Sequence, residues 1–323
     1  MDEFERIARW LSPLADGEPG AYGLKDDAAV LAPEPGYRLV VTTDLIAAGV
    51  HFFADDDPAL VARRLLRVNL SDLAAMGATP RGYLLGLALP RATDESWLAR
   101  FASGLKADQE AFDIGLVGGD MIAVDGPLTL MLTALGQVRP GEELSRAGAR
   151  PGDVVFVSGT VGDAALGLRA LEGGLAGLDG EARDILIGRF RLPRPRLELG
   201  RCLAGVASAA IDVSDGLVAD LAHICACSHV AAVVEAQDLA LSEAGKAALL
   251  ADPALLELAL TGGDDYEILF AAPSSSAPRV EALARELGLR LTPIGRFSEG
   301  EGVEVRDPQG RPIHLARPGY RHF

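Results

Sequence analysis

The chain has 323 residues, 49% of them hydrophobic, enough to bury more than one core, so a two-domain globular protein is expected. A formal net charge of -16 repels phosphate backbones and excludes nucleic acid as a partner, and no apolar run is long enough to cross a membrane. Three cysteines, Cys202, Cys225 and Cys227, are too few and odd in number for a disulfide framework, and the acidic start Met1-Asp2-Glu3-Phe4-Glu5-Arg6 is unlike a signal peptide; buried thiols in a cytoplasmic protein are expected.

From the amino end, Phe4, Ile7, Ala8, Trp10, Leu11 and Leu14 recur at helical spacing. Asp16-Gly17-Glu18-Pro19-Gly20 ends that helix, and a loop through Lys25-Asp26-Asp27 leads into Ala28-Ala29-Val30-Leu31, expected as a short strand. Residues 38–44 read as a strand ending in polar residues, and 58–76 carry a helical stripe that stops at Gly77. A strand over 83–89, a helix over 94–111, a short strand over 114–117 and a long one over 128–138 follow. This uneven alternation fits a βαββαβ-like unit better than a doubly wound sheet. The turn-rich Ser145-Arg146-Ala147-Gly148-Ala149-Arg150-Pro151-Gly152-Asp153 places a domain boundary near residue 148, giving domains 1–148 and 149–323. Beyond it, a strand over 154–158, a turn into a helix at 159–164, a Gly-rich loop over 173–180, a strand over 209–211 and a helix over 217–226 repeat the α/β style.

Acidic residues keep ending short apolar runs beside Gly, Ser or Thr: Lys25-Asp26-Asp27, Thr42-Thr43-Asp44, Asn69-Leu70-Ser71-Asp72, Gly118-Gly119-Asp120, Asp212-Val213-Ser214-Asp215-Gly216 and Gly262-Gly263-Asp264-Asp265. Turn and N-cap hydrogen bonding explains any one of them, with Ser71 and Ser214 as caps and Asp212 as a solvated strand end. Together they point to carboxylate oxygens holding magnesium, whose octahedral shell is shared with water and substrate oxygens. An acidic protein that takes an anionic substrate needs such cations. The third and fifth of these runs, Asn69-Leu70-Ser71-Asp72 and Asp212-Val213-Ser214-Asp215, echo one another faintly. There is no Gly-x-x-x-x-Gly-Lys-Ser/Thr phosphate loop, kinase catalytic loop, dinucleotide glycine motif or Gly-x-Ser-x-Gly elbow, and the five histidines lack zinc-ligand spacing.

These acidic motifs, with Gly49-Val50-His51-Phe52, the run from Val68 to Ala78 and Tyr266-Glu267, resemble in order and spacing those of the thiamine-monophosphate kinase family, from near residue 24 to Gly319-Tyr320. The wider superfamily includes AIR synthetase, selenophosphate synthetase and a hydrogenase maturation protein. The reactive cysteines of the last two have no counterpart here, and His51 with the 69–78 run favours the kinase. Two departures stand out: Lys25 precedes Asp26 where the family more often has Gly, and Asp264 stands where Glu is frequent.

The resemblance implies an α/β (α+β), two-domain AIR-synthetase-like fold. Its N-terminal domain, the ATP- and magnesium-binding one, pairs with a second copy into a dimeric β-barrel, and its C-terminal domain is an α/β sandwich. It implies ATP as co-substrate, thiamine monophosphate as acceptor and several Mg²⁺ ions. Asp27, Thr42, Thr43, Asp44, Asp72, Asp120, Asp212 and Asp215 would hold the metal; Gly119, Asp120, Arg146 and Ser214 would meet ATP; His51, Asp264 and Tyr320 would line the thiamine phosphate pocket. No general base is assigned. Phe112 sits where an aromatic residue could face adenine, though its helical position favours core packing. The alternatives are another ATP-dependent enzyme of the superfamily with a different acceptor, and a non-catalytic nucleotide sensor.

Overall fold

The computed structural model describes residues 3–320, so the expectations for Met1, Asp2 and Arg321-His322-Phe323 fall outside the described residues. The chain divides into two compact units, Met1–Leu73 with Ala78–Gly141 and Ala74–Gly77 with Glu142–Phe323.

The first unit opens with α1 (Glu3–Arg6), a π-helical turn (Ile7–Leu11) and 3-10 turns at Ser12–Ala15 and Pro19–Leu24. The stripe of apolar residues is helical as expected, but it is cut into short pieces. Pro13 and Pro19, lacking an N–H, each sit at the start of a tightened turn instead of continuing a ladder. The strand expected over 28–31 does not form. There the backbone has one tie, Val30 N–H to the Gly20 carbonyl at 2.9 Å, and Val30 stays 67% exposed because no neighbouring strand offers it a ladder.

Strand β1 (Arg38–Ala47) leads to α2 (Pro58–Ala75), β2 (Thr79–Pro90), α3 (Glu95–Phe112), β3 (Leu116–Val124) and β4 (Thr129–Val138). The sheet order is β1-β4-β2-β3, antiparallel except for β2 and β3. The mixed α/β class is the expected one, while the order of elements is βαβαββ and not βαββαβ. The parallel β2–β3 pair needs a crossover, which α3 provides, and β4 then returns to lie between β1 and β2. Asp94 caps α3 by accepting the Trp97 N–H at 2.8 Å, and Asp113, left-handed at φ 52, ends it. One sheet face is closed by helix side chains such as Leu65, Leu66 and Leu70, all fully buried. The other leaves Leu39, Val41, Leu45 and Ile122 exposed.

The second unit is built on a six-stranded sheet, order β10-β7-β9-β5-β8-β6. Its strands are β5 (Val154–Ser158), β6 (Ala209–Asp212), β7 (Ala231–Glu235), β8 (Ile268–Ala272), β9 (Leu291–Ser298) and β10 (Gly302–Arg306). Between them run α4 (Asp163–Leu171), α5 (Gly180–Arg191), α6 (Leu197–Cys202), α7 (Leu217–Ser228), α8 (Glu243–Ala251), α9 (Leu255–Thr261) and α10 (Ala277–Leu287). Strands β5 and β8 are buried at every position, so this sheet is covered on both faces. Val155, Val157, Ile211 and Leu269 join Leu217, Leu221 and Ile224 of α7 in one core, and Phe156 stacks on Phe270 with ring centroids 5.2 Å apart. Of the thiols expected to be buried, only Cys225 is. Cys202 is half-buried and Cys227 is exposed, since positions two apart on a helix point in different directions. Among the described residues no helix is long and apolar enough to cross a membrane.

A buried ionic knot ties α2 to α3. Asp108, with no exposed surface, accepts from Arg67 Nε at 2.6 Å, Arg67 Nη2 at 2.9 Å and Arg63 Nε at 2.9 Å. Asp108→Ala strands the Arg67 cation in the interior and is expected to cost about 3–5 kcal/mol. Urea unfolding checks this, and a loss below about 1 kcal/mol would show that the pair is no better than a surface bridge.

Candidate active site

Alternation along β1 sorts the Thr42-Thr43-Asp44 motif onto two faces. Thr42 and Asp44 point to the helix-covered side, where Thr42 Oγ1 donates to Asp72 Oδ2 at 2.5 Å. Two carboxylates and a hydroxyl are thus brought together by β1 and α2. Burial first, and the Asp72 charge second, push the Asp44 carboxyl up to about 7. Thr43 faces the other way, donating to the Leu132 carbonyl at 3.1 Å and accepting from Thr133 Oγ1 at 3.0 Å.

On the open side of the sheet lies a cavity of about 700 Å³ with a mainly apolar lining, into which Asp26, Asp27, Gly118, Gly119 and Asp120 are gathered. Strand β3 runs through the Gly118-Gly119-Asp120 motif and does not stop before it at 117. Register pairs Gly119 with Leu85 and Asp120 with Gly86; a Cβ at 119 would come within 2.0 Å of the Leu85 carbonyl oxygen, so only glycine fits. Asp120 is exposed and accepts the Met121 N–H at 2.9 Å. Asp27 and Asp120 therefore share a cavity, while Asp44 and Asp72 form a separate group on the sheet's other face.

His51 lies in the turn after β1, where its Nδ1 accepts the Ala47 N–H at 3.1 Å, which fixes the ring proton on Nε2. Phe112 packs under the Arg67 guanidinium, 5.3 Å from the ring centre, as expected of a packing residue.

In the second unit two loops lie side by side. Val213 N–H donates to the Glu267 carbonyl and Tyr266 N–H to the Val213 carbonyl, each at 2.8 Å, and Asp264 N–H donates to the Ser214 carbonyl at 2.9 Å. Asp264 (φ 75) and Tyr266 (φ 51) are both left-handed, a costly conformation for residues with a Cβ that the surrounding bonds hold in place. The Tyr266 hydroxyl reaches Asp264 Oδ1 at 3.3 Å. Tyr320 N–H donates to the Asp215 carbonyl at 3.0 Å. Asp212, Ser214, Asp215, Asp264 and Tyr320 are thus assembled in one place. Arg146 is exposed, its loop held by Ser228 Oγ, which donates to the Arg146 carbonyl at 3.2 Å.

Two acids of the same sequence motif belong to the scaffold. Asp265 accepts N–H groups from Gly162 at 2.5 Å and Ala164 at 3.1 Å, at the start of α4. Glu267, fully buried, is held by Ser158, Arg189 and Arg196. The sequence does not single out Asp220, yet its carboxylate binds the whole Ser214–Gly216 turn; its place four residues beyond Gly216, in the opening turns of α7, is the signal. The echo between the 69–72 and 212–215 runs has no structural counterpart, because the first is helical and the second leaves a strand. Among the described residues no three His, Cys, Asp or Glu side chains form a ready-made metal cluster.

The AIR synthase related protein N-terminal domain family matches residues 25–138, and the corresponding C-terminal domain family matches residues 150–308. The chain is 44% identical over 323 residues to the thiamine-monophosphate kinase of Caulobacter vibrioides, covering 99% of this chain and 90% of that protein. The chain belongs to the thiamine-monophosphate kinase family. The family member of Escherichia coli K12 is 40% identical, with 99% of this chain and 98% of the other covered. Among solved structures, thiamine-monophosphate kinase from Stenotrophomonas maltophilia K279a superposes with a TM-score of 0.86 at 42% identity, covering 97% and 98% of the two chains. AaThiL complexed with AMPPCP and TMP superposes at 0.79 with 32% identity, covering 95% and 98%. The hydrogenase maturation protein HypE in complex with ATP reaches 0.78 at 20% identity, a likeness of fold alone.

The raised Asp44 value has a consequence for stability. The folded protein holds this proton more tightly than the unfolded chain does, so the contribution is complete below the ordinary value of 3.8 and is lost as pH rises through about 7. Without divalent cations, Asp44→Asn is expected to gain in Tm relative to wild type between about pH 5 and pH 8. A difference that stays flat across this range contradicts the burial of Asp44 beside Asp72.

Proposed function

We propose that this chain transfers the γ-phosphoryl group of ATP to the phosphate of thiamine monophosphate, giving thiamine diphosphate and ADP. What carries the reading is full-length likeness to proteins of that named activity, one of them solved with an ATP analogue and thiamine monophosphate. Transfer between two anions is opposed mainly by charge repulsion, so positioning and electrostatic stabilisation supply most of the catalysis. The acceptor phosphate is already anionic at neutral pH, and no residue need act as general base.

Magnesium fits the residues present. Thr42, Asp44 and Asp72 offer only oxygen donors, and two carboxylates leave most of an octahedral shell to water and substrate oxygens, as this ion requires. A cation there also offsets the repulsion between Asp44 and Asp72. When bound, magnesium supplies charge neutralisation for the transferring phosphoryl group. We assign Asp27, Thr42, Thr43, Asp44, Asp72, Asp120, Asp212 and Asp215 to magnesium, and Gly119, Asp120, Arg146 and Ser214 to ATP. His51, Asp264 and Tyr320 are assigned to thiamine monophosphate. His51 has an Nε2–H donor suited to a phosphate oxygen, Asp264 offsets the thiazolium charge, and the half-exposed Tyr320 ring suits a cationic heterocycle.

We further infer a homodimer formed through the open face of the first unit's sheet. Leu39, Val41, Leu45 and Ile122 are all at least half exposed there, and large apolar side chains exposed on one sheet face suit an interaction surface. The free thiols Cys202, Cys225 and Cys227 accord with a reducing, cytoplasmic setting.

Incubation with ATP, magnesium and thiamine monophosphate is expected to yield thiamine diphosphate and ADP; ATP binding without product would favour a sensor instead. Asp120→Asn and Asp44→Asn are each expected to lower kcat at least about 100-fold with unchanged circular dichroism. Wild-type turnover in either variant would remove that residue from the metal set. Light scattering should give twice the protomer mass, and a fully active monomer would count against the dimer.

A further inference from the structure

The turn that carries Ser214 and Asp215 closes on a carboxylate from the helix it precedes. Asp220, 2% exposed, places a single oxygen, Oδ2, within 3.0 Å of the Ser214 N–H, 3.0 Å of the Asp215 N–H and 3.1 Å of the Gly216 N–H. Three successive amides aimed at one point make a concavity suited to an acceptor oxygen, and here that oxygen comes from the chain itself. Gly216, at φ 119, provides the bend that lets them converge. The turn's carbonyls are tied elsewhere, Ser214 to the Asp264 N–H and Asp215 to the Tyr320 N–H. Its amides go to Asp220.

We propose that Asp220 is a positioning residue for the phosphoryl transfer: it locks Ser214–Gly216 in the conformation from which Ser214 and Asp215 meet the magnesium nucleotide. The proposal rests on the roles assigned above to Ser214 and Asp215. One oxygen accepting from three successive amides lets a single side chain fix three backbone units at once. Losing it leaves three amides in a partly buried turn without that acceptor, and the turn rearranges to satisfy them. Residues that orient a metal ligand from behind usually change metal affinity or activity by about 10–100-fold.

The test compares wild type, Asp220→Ala and Asp220→Asn, titrating Mn²⁺ by electron paramagnetic resonance without substrates and then measuring kcat against magnesium concentration. Asp220→Ala is expected to weaken Mn²⁺ binding and lower kcat, each by about 10–100-fold, and to leave KM for thiamine monophosphate little changed. Asp220→Asn, which keeps one carbonyl oxygen at the same reach, should recover most of both. In the wild-type protein the amides of 214–216 should exchange slowly with deuterium. Unchanged Mn²⁺ affinity and kcat in the alanine variant would overturn the proposal. So would rapid exchange at those amides in wild type, which decides the matter even if the alanine variant does not fold. Should wild type bind Mn²⁺ and yet make no thiamine diphosphate, the proposed function fails, and the Mn²⁺ comparison still decides for or against Asp220.

Discussion

Carboxylates buried close to one another repel, and the fold has to hold them in place against that repulsion. The chain does so by giving its scaffold acids strong donors. Asp108 is clasped by Arg63 and Arg67, Glu267 by Arg189 and Arg196, Asp265 by the opening amides of α4, and Asp220 by three amides of one turn. Asp44 has a different neighbour, another acid, and burial makes its ionisation harder still. Burial likewise pushes Asp220 up to about 7 and Asp265 up to about 8, so what sets these acids apart from Asp44 is the backbone N–H donors that hold them, not the ease of ionisation.

That distinction explains what could be read from the residues in order. Long elements with a clear period, such as α2, β4 and the helix after Asp215, stand where their apolar spacing puts them. The acidic motifs identified the family because their order along the chain is itself distinctive. Their surroundings were less legible. Asp44, Asp72 and Asp120 end apolar runs in the sequence, but they lie inside a strand, a helix and a strand respectively. Alternation and helical rotation, not turn geometry, decide which way they face.

Residues 28–31 show the opposite failure, since an apolar run needs a neighbouring strand before it becomes one, and that neighbour is a tertiary fact. Asp220 is inconspicuous in the sequence for a related reason. On a helix, an acid in the opening turns looks like ordinary dipole complementation. Only the convergence of three amides on one of its oxygens reveals what it does. Asp265 and Glu267 belong to the same acidic motif as Asp264, yet their side chains are buried and serve hydrogen bonding and charge balance within the second unit.

The left-handed backbone at Asp264 and Tyr266 carries a mechanical implication. Neither residue would choose that geometry alone, so it persists only while the neighbouring loop supplies its bonds. The segment bearing Asp264 and the segment bearing Ser214 and Asp215 consequently behave as one body. Neither loop can change its backbone course without breaking bonds to its neighbour, so the strain stored at Asp264 and Tyr266 is borne by both.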